Sequence, residues 1–253
     1  VLGAKGDFVT SPSMSDDFAF LLSKQIDEWL IQIKSKLICD EKLSVLEFGA
    51  GDGSLMSGIL KYFFINKKNY LKDVSFIIIE PNKGMKKQQQ KKLQEFIELG
   101  FVILWRSLQD LEDRSINGVI LANEVLDALP VERIIYLKGN LYRQGVSIDK
   151  KSAGLSFAEI TMTEELEKSI AFAKEKLNIN IPPEDAPEGW TTEWHVDNKS
   201  WLKGIYEKIN DGILLVIDYA KEAKKYYSNS NINGTLISYK NQKIIENVFE
   251  SPG

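Results

Sequence analysis

Short apolar runs alternate with helix-length segments along most of the chain. Strands are predicted at 44–48, 74–80, 101–105, 118–122 and 214–219. Segments with helical spacing lie at 54–64, 83–98 and 199–209. Strands that are continuous apolar runs are typical of a parallel sheet with helices on both faces. The pattern therefore predicts an α/β fold with a doubly wound, mostly parallel sheet of the Rossmann-like kind.

Segments outside this alternation predict additions to the core. Ser15 and the two aspartates after it are typical of a helix N-cap, and apolar residues then recur with helical spacing as far as Leu37. Residues 131–137 and 141–147 flank a turn signal and predict a hairpin, and 164–177 predicts a further helix. We therefore predict three parts: an N-terminal loop and helix that cover the ligand site (1–40), a core (41–130 and 196–253) and an inserted cap (131–195).

Composition and charge restrict the classes of function. Of the 253 residues, 43% are hydrophobic, which suits a folded core, and 36 acidic against 32 basic residues give a net charge of -4. This charge gives no overall attraction to nucleic acid. Cys39 and His195 are the only residues of their types, so we expect neither a disulfide framework nor a metal site. The apolar runs fall short of the about 20 residues that a membrane span needs.

The two ends of the chain are those expected of a fragment. The chain begins with Val1 rather than Met, and it ends in the turn-like tetrad 250–253 without a closing element. We therefore expect truncation at both ends. The single cysteine is compatible with a reducing compartment, which we take to be the bacterial cytoplasm, or the mitochondrial matrix if the source is eukaryotic.

A glycine-rich turn connects the first predicted strand to a helix. Gly49, Gly51 and Gly53 occupy alternate positions, and the lack of a Cβ lets the backbone turn sharply and approach a ligand. Free N–H groups at the start of the following helix favour a carboxylate or a phosphate. The alternative is a turn that does no more than connect the two elements.

Two acids favour an S-adenosylmethionine site at this turn. Glu47 precedes Gly49 by two residues, in a G-x-G-x-G spacing that differs from the G-x-G-x-x-G of dinucleotide enzymes. A carboxylate there would repel a pyrophosphate, but it complements the ammonium and sulfonium groups of S-adenosylmethionine. Glu80 ends the second predicted strand, where it can accept hydrogen bonds from both ribose hydroxyls. A nicotinamide-dependent oxidoreductase is accordingly disfavoured.

Polar residues also follow the fourth predicted strand. Asn123, Glu124 and Asp127 come directly after it, and ligands of open α/β sheets bind beyond the carboxyl ends of the strands. A helix cap is the alternative role for Asn123. Two acids at one edge favour a functional site. In contrast, the Lys- and Gln-rich stretch 86–92 is expected to be a solvated helix face.

Five short motifs occur in a fixed order along the chain. They are Gly6-Asp7-Phe8-Val9-Thr10-Ser11-Pro12, Glu47 to Gly53, Asn123 to Val131, Asp218-Tyr219 and Gly234-Thr235-Leu236. In this order they resemble the motifs of the MidA-like methyltransferases, a family that includes a mitochondrial complex I assembly factor. The resemblance covers nearly the whole chain. It implies the Rossmann-like class I methyltransferase fold and S-adenosyl-L-methionine as the cofactor.

Three positions depart from the family's pattern. Ser13 stands where the family usually has Glu, Ala220 replaces a Gly, and Gln242 occupies a position often held by His. The family's chain also continues past the equivalent of 252–253 into the last strands of the sheet. These departures leave the identity of the methyl acceptor open more than that of the cofactor.

The resemblance implies a set of cofactor contacts at matching positions. They are Thr10, Ser11, Pro12, Glu47, Gly49, Ala50, Gly51, Gly53, Glu80, Leu108, Asn123 and Glu124. Of these, Thr10 and Ser11 would close over the bound cofactor.

The resemblance also implies methylation of arginine side chains in a protein substrate. Carboxylates pair bidentately with a guanidinium and can orient one of its nitrogens. We hypothesise that Glu124, Asp127 and Asp218 form this acidic receiver and are the catalytic residues, with Glu193 as a further candidate. The expected partner is a protein, such as a respiratory-complex subunit, and a homo-oligomer is compatible.

Two alternatives share the predicted cofactor site. A small-molecule methyltransferase would have an enclosed apolar pocket, and a non-catalytic assembly factor would bind S-adenosylmethionine without producing a methylated product. His195 is expected to be packed rather than catalytic. Trp190, Trp194 and Trp201 are expected to lie in a core.

Overall fold

The structure is a computed structural model, which describes residues 16–38, 41–66, 73–148, 154–240, 243–245 and 247–249. In chain order the helices are α1 (Asp16–Lys34), α2 (Ser54–Asn66), α3 (Lys83–Lys92), α4 (Gln94–Glu98), α5 (Glu164–Leu177), α6 (Asn198–Lys208) and α7 (Ala223–Tyr226). The strands are β1 (Leu43–Phe48), β2 (Val74–Ile79), β3 (Val102–Arg106), β4 (Ile116–Asn123), β5 (Glu132–Leu137), β6 (Asn140–Ile148), β7 (Leu155–Ile160), β8 (Thr191–Trp194), β9 (Ile209–Ile217), β10 (Ser238–Lys240) and β11 (Lys243–Ile245). Contacts group residues 1–128 with 200–218, and 129–199 with 219–253, into two compact units. Within the described ranges, every helix is too short or too polar to cross a bilayer.

The first unit is built on a parallel sheet with the strand order β3-β2-β1-β4-β9. Successive residues of a strand face opposite sides of this sheet. On β1, Val45 packs against apolar residues of α1 and α2 on one face of the sheet. Leu46, the next residue, packs on the other face, in a cluster that includes Ile205 of α6. Because both faces are covered, the strands are apolar throughout. This arrangement confirms the predicted doubly wound α/β fold.

Two elements of this unit differ from their predictions. The helix predicted at 83–98 is two helices, α3 and α4, which are separated at the buried Leu93, where φ is -95° and ψ is 2°. Strand β9 begins at Ile209 rather than at 214. Its second and third residues, Asn210 and Asp211, are polar. Strand β9 lies at the edge of the sheet, where polar side chains are tolerated.

The second unit contains an antiparallel sheet with the strand order β7-β6-β5-β8. Strands β5 and β6 form the predicted hairpin, in which Leu137 pairs with Asn140. Its core combines Ile134 of β5, Leu166 of α5 and the fully buried Trp190. The contacts group residues 219–253 with this sheet, whereas the sequence predicts that they belong to the core. The domain boundaries therefore stay a prediction.

Candidate active site

The glycine turn begins where β1 ends at the carboxyl edge of the parallel sheet. Gly49, Gly51 and Gly53 have φ values of 58°, 53° and 84°, a conformation that residues with a Cβ rarely adopt. The Gly49 amide donates to the Ile79 carbonyl of β2 at 3.0 Å, and the Gly53 amide donates to the Ala50 carbonyl at 2.8 Å. The first bond holds the turn against β2, and the second closes the turn on itself.

Space for a ligand is open at the centre of this turn. A Cβ added to Gly51 would meet no neighbouring atom within 4 Å in the described part of the chain, whereas one added to Gly53 would lie 3.4 Å from Cγ of Gln89. At the start of α2, Asp52 accepts from the Ser54 amide at 3.0 Å and from Lys92 Nζ at 2.7 Å. Burial opposes ionisation of Asp52, but the hydrogen bonds from Lys92 and Ser54 lower its pKa.

Glu47 is a buried acid on β1 with an unsatisfied oxygen. Its side chain is 2% exposed, and its Oε2 has no hydrogen-bond partner among the residues that the structure describes. Burial, together with the negative charges of Asp52 and Glu80, raises the pKa of this carboxyl to about 8. An orphaned buried carboxyl beside an open turn fits a cationic ligand group such as an ammonium, because such a group would satisfy both the charge and the lone pairs.

Glu80 follows β2, the strand next to β1. Its Oε1 accepts from the Asn82 amide at 2.9 Å, and its Oε2 accepts from Nε2 of Gln89 at 3.0 Å. Asn82 in turn caps α3 by accepting from the Gly84 and Met85 amides. Glu80 is thus held at both oxygens at the carboxyl edge of the sheet, the position from which it is predicted to contact the ribose hydroxyls.

Gln89 is a site residue that the sequence pattern does not predict. The stretch 86–92 is predicted to be a solvated helix face, but the side chain of Gln89 within it is fully buried. Besides Glu80, it bonds to the Gly51 carbonyl at 2.8 Å and to the Trp105 indole at 3.0 Å. The expectation for stretch 86–92 is therefore wrong at this residue. Spacings of four from Met85 to Gln89 and from Gln89 to Leu93 are the signal that would have found it.

The polar residues after β4 and β9 come together at the same edge. The Glu124 amide donates to the Ile217 carbonyl at 2.8 Å, and Asp218 Oδ2 accepts from the amides of Leu126 and Asp127. Glu124 has a positive φ of 51°, which is uncommon for a residue with a Cβ and is often found at functional sites.

This acidic segment lies beside the glycine turn. A Cβ added to Gly49 would lie 3.5 Å from Cγ2 of Val125. Burial, then the charges of Asp127 and Asp218, raise the pKa of Glu124. The pKa of Asp127 is also raised, by burial and then by the charge of Asp218. We name Glu124, Asp127 and Asp218 the acidic cluster.

Glu193 belongs to the second unit and has a different role. Its Oε1 accepts from Arg133 Nε at 3.1 Å, and its Oε2 accepts from the Thr235 amide at 2.8 Å and from the Tyr226 hydroxyl at 3.0 Å. A carboxylate with both oxygens engaged anchors the loop at Thr235. The structure therefore does not support Glu193 as a receiver of substrate.

The other predicted residues divide into four groups. Thr10, Ser11 and Pro12 lie outside the described residues. Asn123 ends β4, and Leu108 begins the 3₁₀ turn Leu108–Asp110 and packs in the cluster of Phe48; their cofactor contacts stay predictions.

Nδ1 of His195 is buried without a partner among the described residues. Trp190 and Trp194 lie in the core of the second unit, whereas Trp201 packs on Phe48 in the first. No group of three metal-ligating side chains occurs in the described ranges.

The fold, the glycine turn and the two strand-end acids define a class of protein. The chain belongs to the family of S-adenosyl-L-methionine-dependent methyltransferases, whose pattern matches residues 22–253. S-adenosyl-L-methionine is accordingly the cofactor, and the resemblance to the MidA-like methyltransferases is confirmed.

Several known proteins are similar to this chain. It is 24% identical to the protein arginine methyltransferase NDUFAF7 homolog, mitochondrial, of Caenorhabditis elegans, with 100% of this chain and 58% of the relative aligned. It is 26% identical to the Danio rerio protein arginine methyltransferase NDUFAF7, mitochondrial, with 100% and 59% aligned. A crystal structure from Burkholderia thailandensis with S-adenosyl-homocysteine bound superposes with a TM-score of 0.77 at 25% identity, over 96% of this chain and 57% of that one. The chain thus spans about three fifths of the length of the curated relatives it matches.

Proposed function

We propose that this protein transfers a methyl group from S-adenosyl-L-methionine to a guanidinium nitrogen of an arginine side chain in a protein substrate. The observation that carries the proposal is the acidic cluster beside the glycine turn. Relatives that match the whole chain are named protein arginine methyltransferases, which supports arginine as the acceptor.

The glycine turn and its two acids hold the cofactor in this proposal. Glu47 would face the ammonium group, the turn at Gly51 would receive the amino-acid portion, and Glu80 would accept from the ribose hydroxyls. When bound, the cofactor supplies an electrophilic methyl group on a cationic sulfur. Fixed binding of this kind contributes to catalysis through positioning, since two reactants are held in one orientation.

The acidic cluster receives the guanidinium in this proposal. An arginine side chain stays protonated in water because its pKa exceeds about 12. Burial and mutual repulsion raise the pKa values of Glu124 and Asp127, and a cation relieves that repulsion. One proton leaves the guanidinium nitrogen when it becomes methylated, and we assign the Glu124 carboxylate to take it.

The compartment and the partner are further parts of the proposal. The curated relatives are named mitochondrial, which supports a mitochondrial location, whereas the structure from Burkholderia thailandensis shows that a similar protein occurs in a bacterium, where the cytoplasm is the alternative. The resemblance to a family with a complex I assembly factor favours a respiratory-complex subunit as the substrate. Fractionation of the native source distinguishes the two compartments.

A methyl-transfer assay tests the proposal. Peptides with arginine, with lysine or with neither are incubated with labelled S-adenosyl-L-methionine, and the products are located by mass spectrometry. We expect methylation of arginine alone. Glu124→Gln is expected to reduce turnover by about 100-fold or more, the usual effect of a lost general base, with little change in cofactor affinity. The exposed Glu112 provides a matched control, Glu112→Gln.

The outcomes separate the alternatives. Retained turnover in Glu124→Gln would remove Glu124 from the chemistry. A methylated metabolite without methylated peptide would indicate a small-molecule methyltransferase. Bound cofactor without a methylated product in any lysate would indicate a non-catalytic assembly factor.

A further inference from the structure

We propose that Gln89 is a positioning residue that couples the two halves of the cofactor site and sets its preference for a ribose. The inference rests on the proposed function, because it takes the glycine turn and Glu80 as the cofactor site. Gln89 connects three segments of the first unit: the glycine turn, the acid after β2, and β3.

The hydrogen bonds of Gln89 determine the orientation of its amide. The Trp105 indole N–H can only donate, so the oxygen 3.0 Å from it must be the acceptor Oε1. Nε2 is then directed at the Gly51 carbonyl and at Glu80 Oε2, at 2.8 and 3.0 Å. Both of these partners are acceptors. Both N–H groups of the amide are therefore engaged, and the side chain is 0% exposed.

A buried amide held in this way fixes the Glu80 carboxylate. Asn82 donates to one oxygen at 2.9 Å and Gln89 donates to the other at 3.0 Å. Each carboxylate oxygen has about two lone-pair sites, so one acceptor site per oxygen is left for a pair of hydroxyls. Because the same amide also bonds to the Gly51 carbonyl, a shift of the glycine turn would also shift the Glu80 carboxylate.

Other side chains at this position would lack one of these bonds. A glutamate would place an oxygen against both the Gly51 carbonyl and Glu80, where like partial charges repel. A methionine has a similar volume but no donor, so Glu80 would lose one of its two fixed bonds. Gln89 also packs closely on the turn, since a Cβ added to Gly53 would lie 3.4 Å from its Cγ.

The test measures ribose preference by calorimetric titration. The ligands are S-adenosylhomocysteine and its 2′-deoxy analogue, which lacks one hydroxyl. The variant is Gln89→Met, and the control is Gln90→Met, the exposed neighbour on the same helix. A net hydrogen bond contributes about 1 kcal/mol, which corresponds to about fivefold in affinity. We expect the wild type and Gln90→Met to prefer the ribose ligand by about that factor or more, and Gln89→Met to lose most of this preference.

A second variant covers the case in which Gln89→Met does not fold. Trp105→Phe removes the N–H that orients the amide and shortens the ring while keeping an aromatic side chain, and we expect it to lower the ribose preference in part. Equal weakening of both ligands, with an unchanged preference, would overturn the inference and leave Gln89 a packing residue. Absence of binding of either ligand to the wild type would instead overturn the proposed function.

Discussion

The carboxylate of Asp218 accepts a hydrogen bond from the backbone amide of Asp127 at 3.2 Å, and the same oxygen accepts another from Leu126 at 2.9 Å. Asp218 follows β9, whereas Asp127 follows the adjacent strand β4. One side chain therefore joins the segments after two neighbouring strands and holds the acidic cluster together.

We expect Asp218→Ala to destabilise the protein. Hydrogen bonds to a charged group contribute about 1.5–3 kcal/mol, so the free energy of unfolding should fall by about 2 kcal/mol. Asp218→Asn should cost less, because its carbonyl can still accept. Urea denaturation measures both. The control Asp73→Ala breaks an exposed pair with Lys34, which should contribute about 1 kcal/mol or less; equal losses in Asp218→Ala and Asp73→Ala would argue against the joining role.

Gly51→Ala should weaken cofactor binding as well as the fold, whereas a glycine outside the site should affect the fold alone. A Cβ in the left-handed region costs about 1–2 kcal/mol, and at Gly51 it would also enter the open space of the turn. Gly139, with φ of 77° in the β5–β6 hairpin and no atom of the described chain near an added Cβ, offers a matched strain control. We expect Gly51→Ala to raise the Kd for S-adenosylmethionine by about tenfold, or about 1.4 kcal/mol, and Gly139→Ala to leave it unchanged. Equal Kd values by calorimetry would remove the turn from the site.

The sequence predicts the parallel sheet well because its strands are buried on both faces. Val45 and Leu46 face opposite clusters but are equally buried, so the run is uniformly apolar and easy to recognise. The edge strand β9 is harder, since Asn210 and Asp211 interrupt its apolar pattern. Strand β8 is not predicted because it has only four residues and one of them, the buried Glu193, is charged. Its hydrogen-bond partner Thr235 lies far along the chain, so no local pattern reveals why an acid is buried there.

The residues of the candidate site likewise differ in whether a local sequence pattern reveals them. Glu47 and Glu80 are predictable because the ends of parallel strands meet at one edge, a rule that requires only the strand positions. Gln89 depends on which face of α3 turns inward, and the surrounding lysines hide the single buried position. The role of Glu193 depends on the loop at Thr235, which no local pattern connects to β8.

Loss of the buried ion pair between Arg133 and Glu193 should destabilise the second unit. The side chains are 15% and 6% exposed, and removal of one partner leaves a buried charge uncompensated, which costs about 3–5 kcal/mol. We expect Glu193→Ala to approach this range in urea denaturation. Glu132→Ala breaks the pair with Arg143, where the exposures are 27% and 33%, and should cost less. A smaller loss in Glu193→Ala than in Glu132→Ala would contradict the anchoring role.

The buried Glu47 should make stability fall as the pH rises. Its pKa in the folded protein is raised from 4.5 to about 8, so the folded state holds the proton more tightly than the unfolded state. The stabilisation is complete below the unfolded pKa and is lost as the pH approaches 8. Relative to the wild type, Glu47→Gln should become more stable between pH 5 and pH 8, by at most about 1.4 kcal/mol per pH unit. Thermal or urea unfolding across this range measures the slope, and parallel pH profiles for the two proteins would contradict the raised pKa.

Binding of S-adenosylmethionine should release a proton from Glu47. The pKa of Glu47 in the free protein is raised to about 8, so at lower pH its carboxyl is neutral. A cationic ammonium group beside it favours the ionised form. Affinity should therefore increase between pH 6 and pH 8, by at most about tenfold per pH unit, and then level off. Calorimetry in two buffers with different heats of ionisation counts the released protons directly. Glu47→Gln has no proton to release, so it should bind more weakly at pH 8 and show no such slope; the same slope in this variant would assign the released proton to another group.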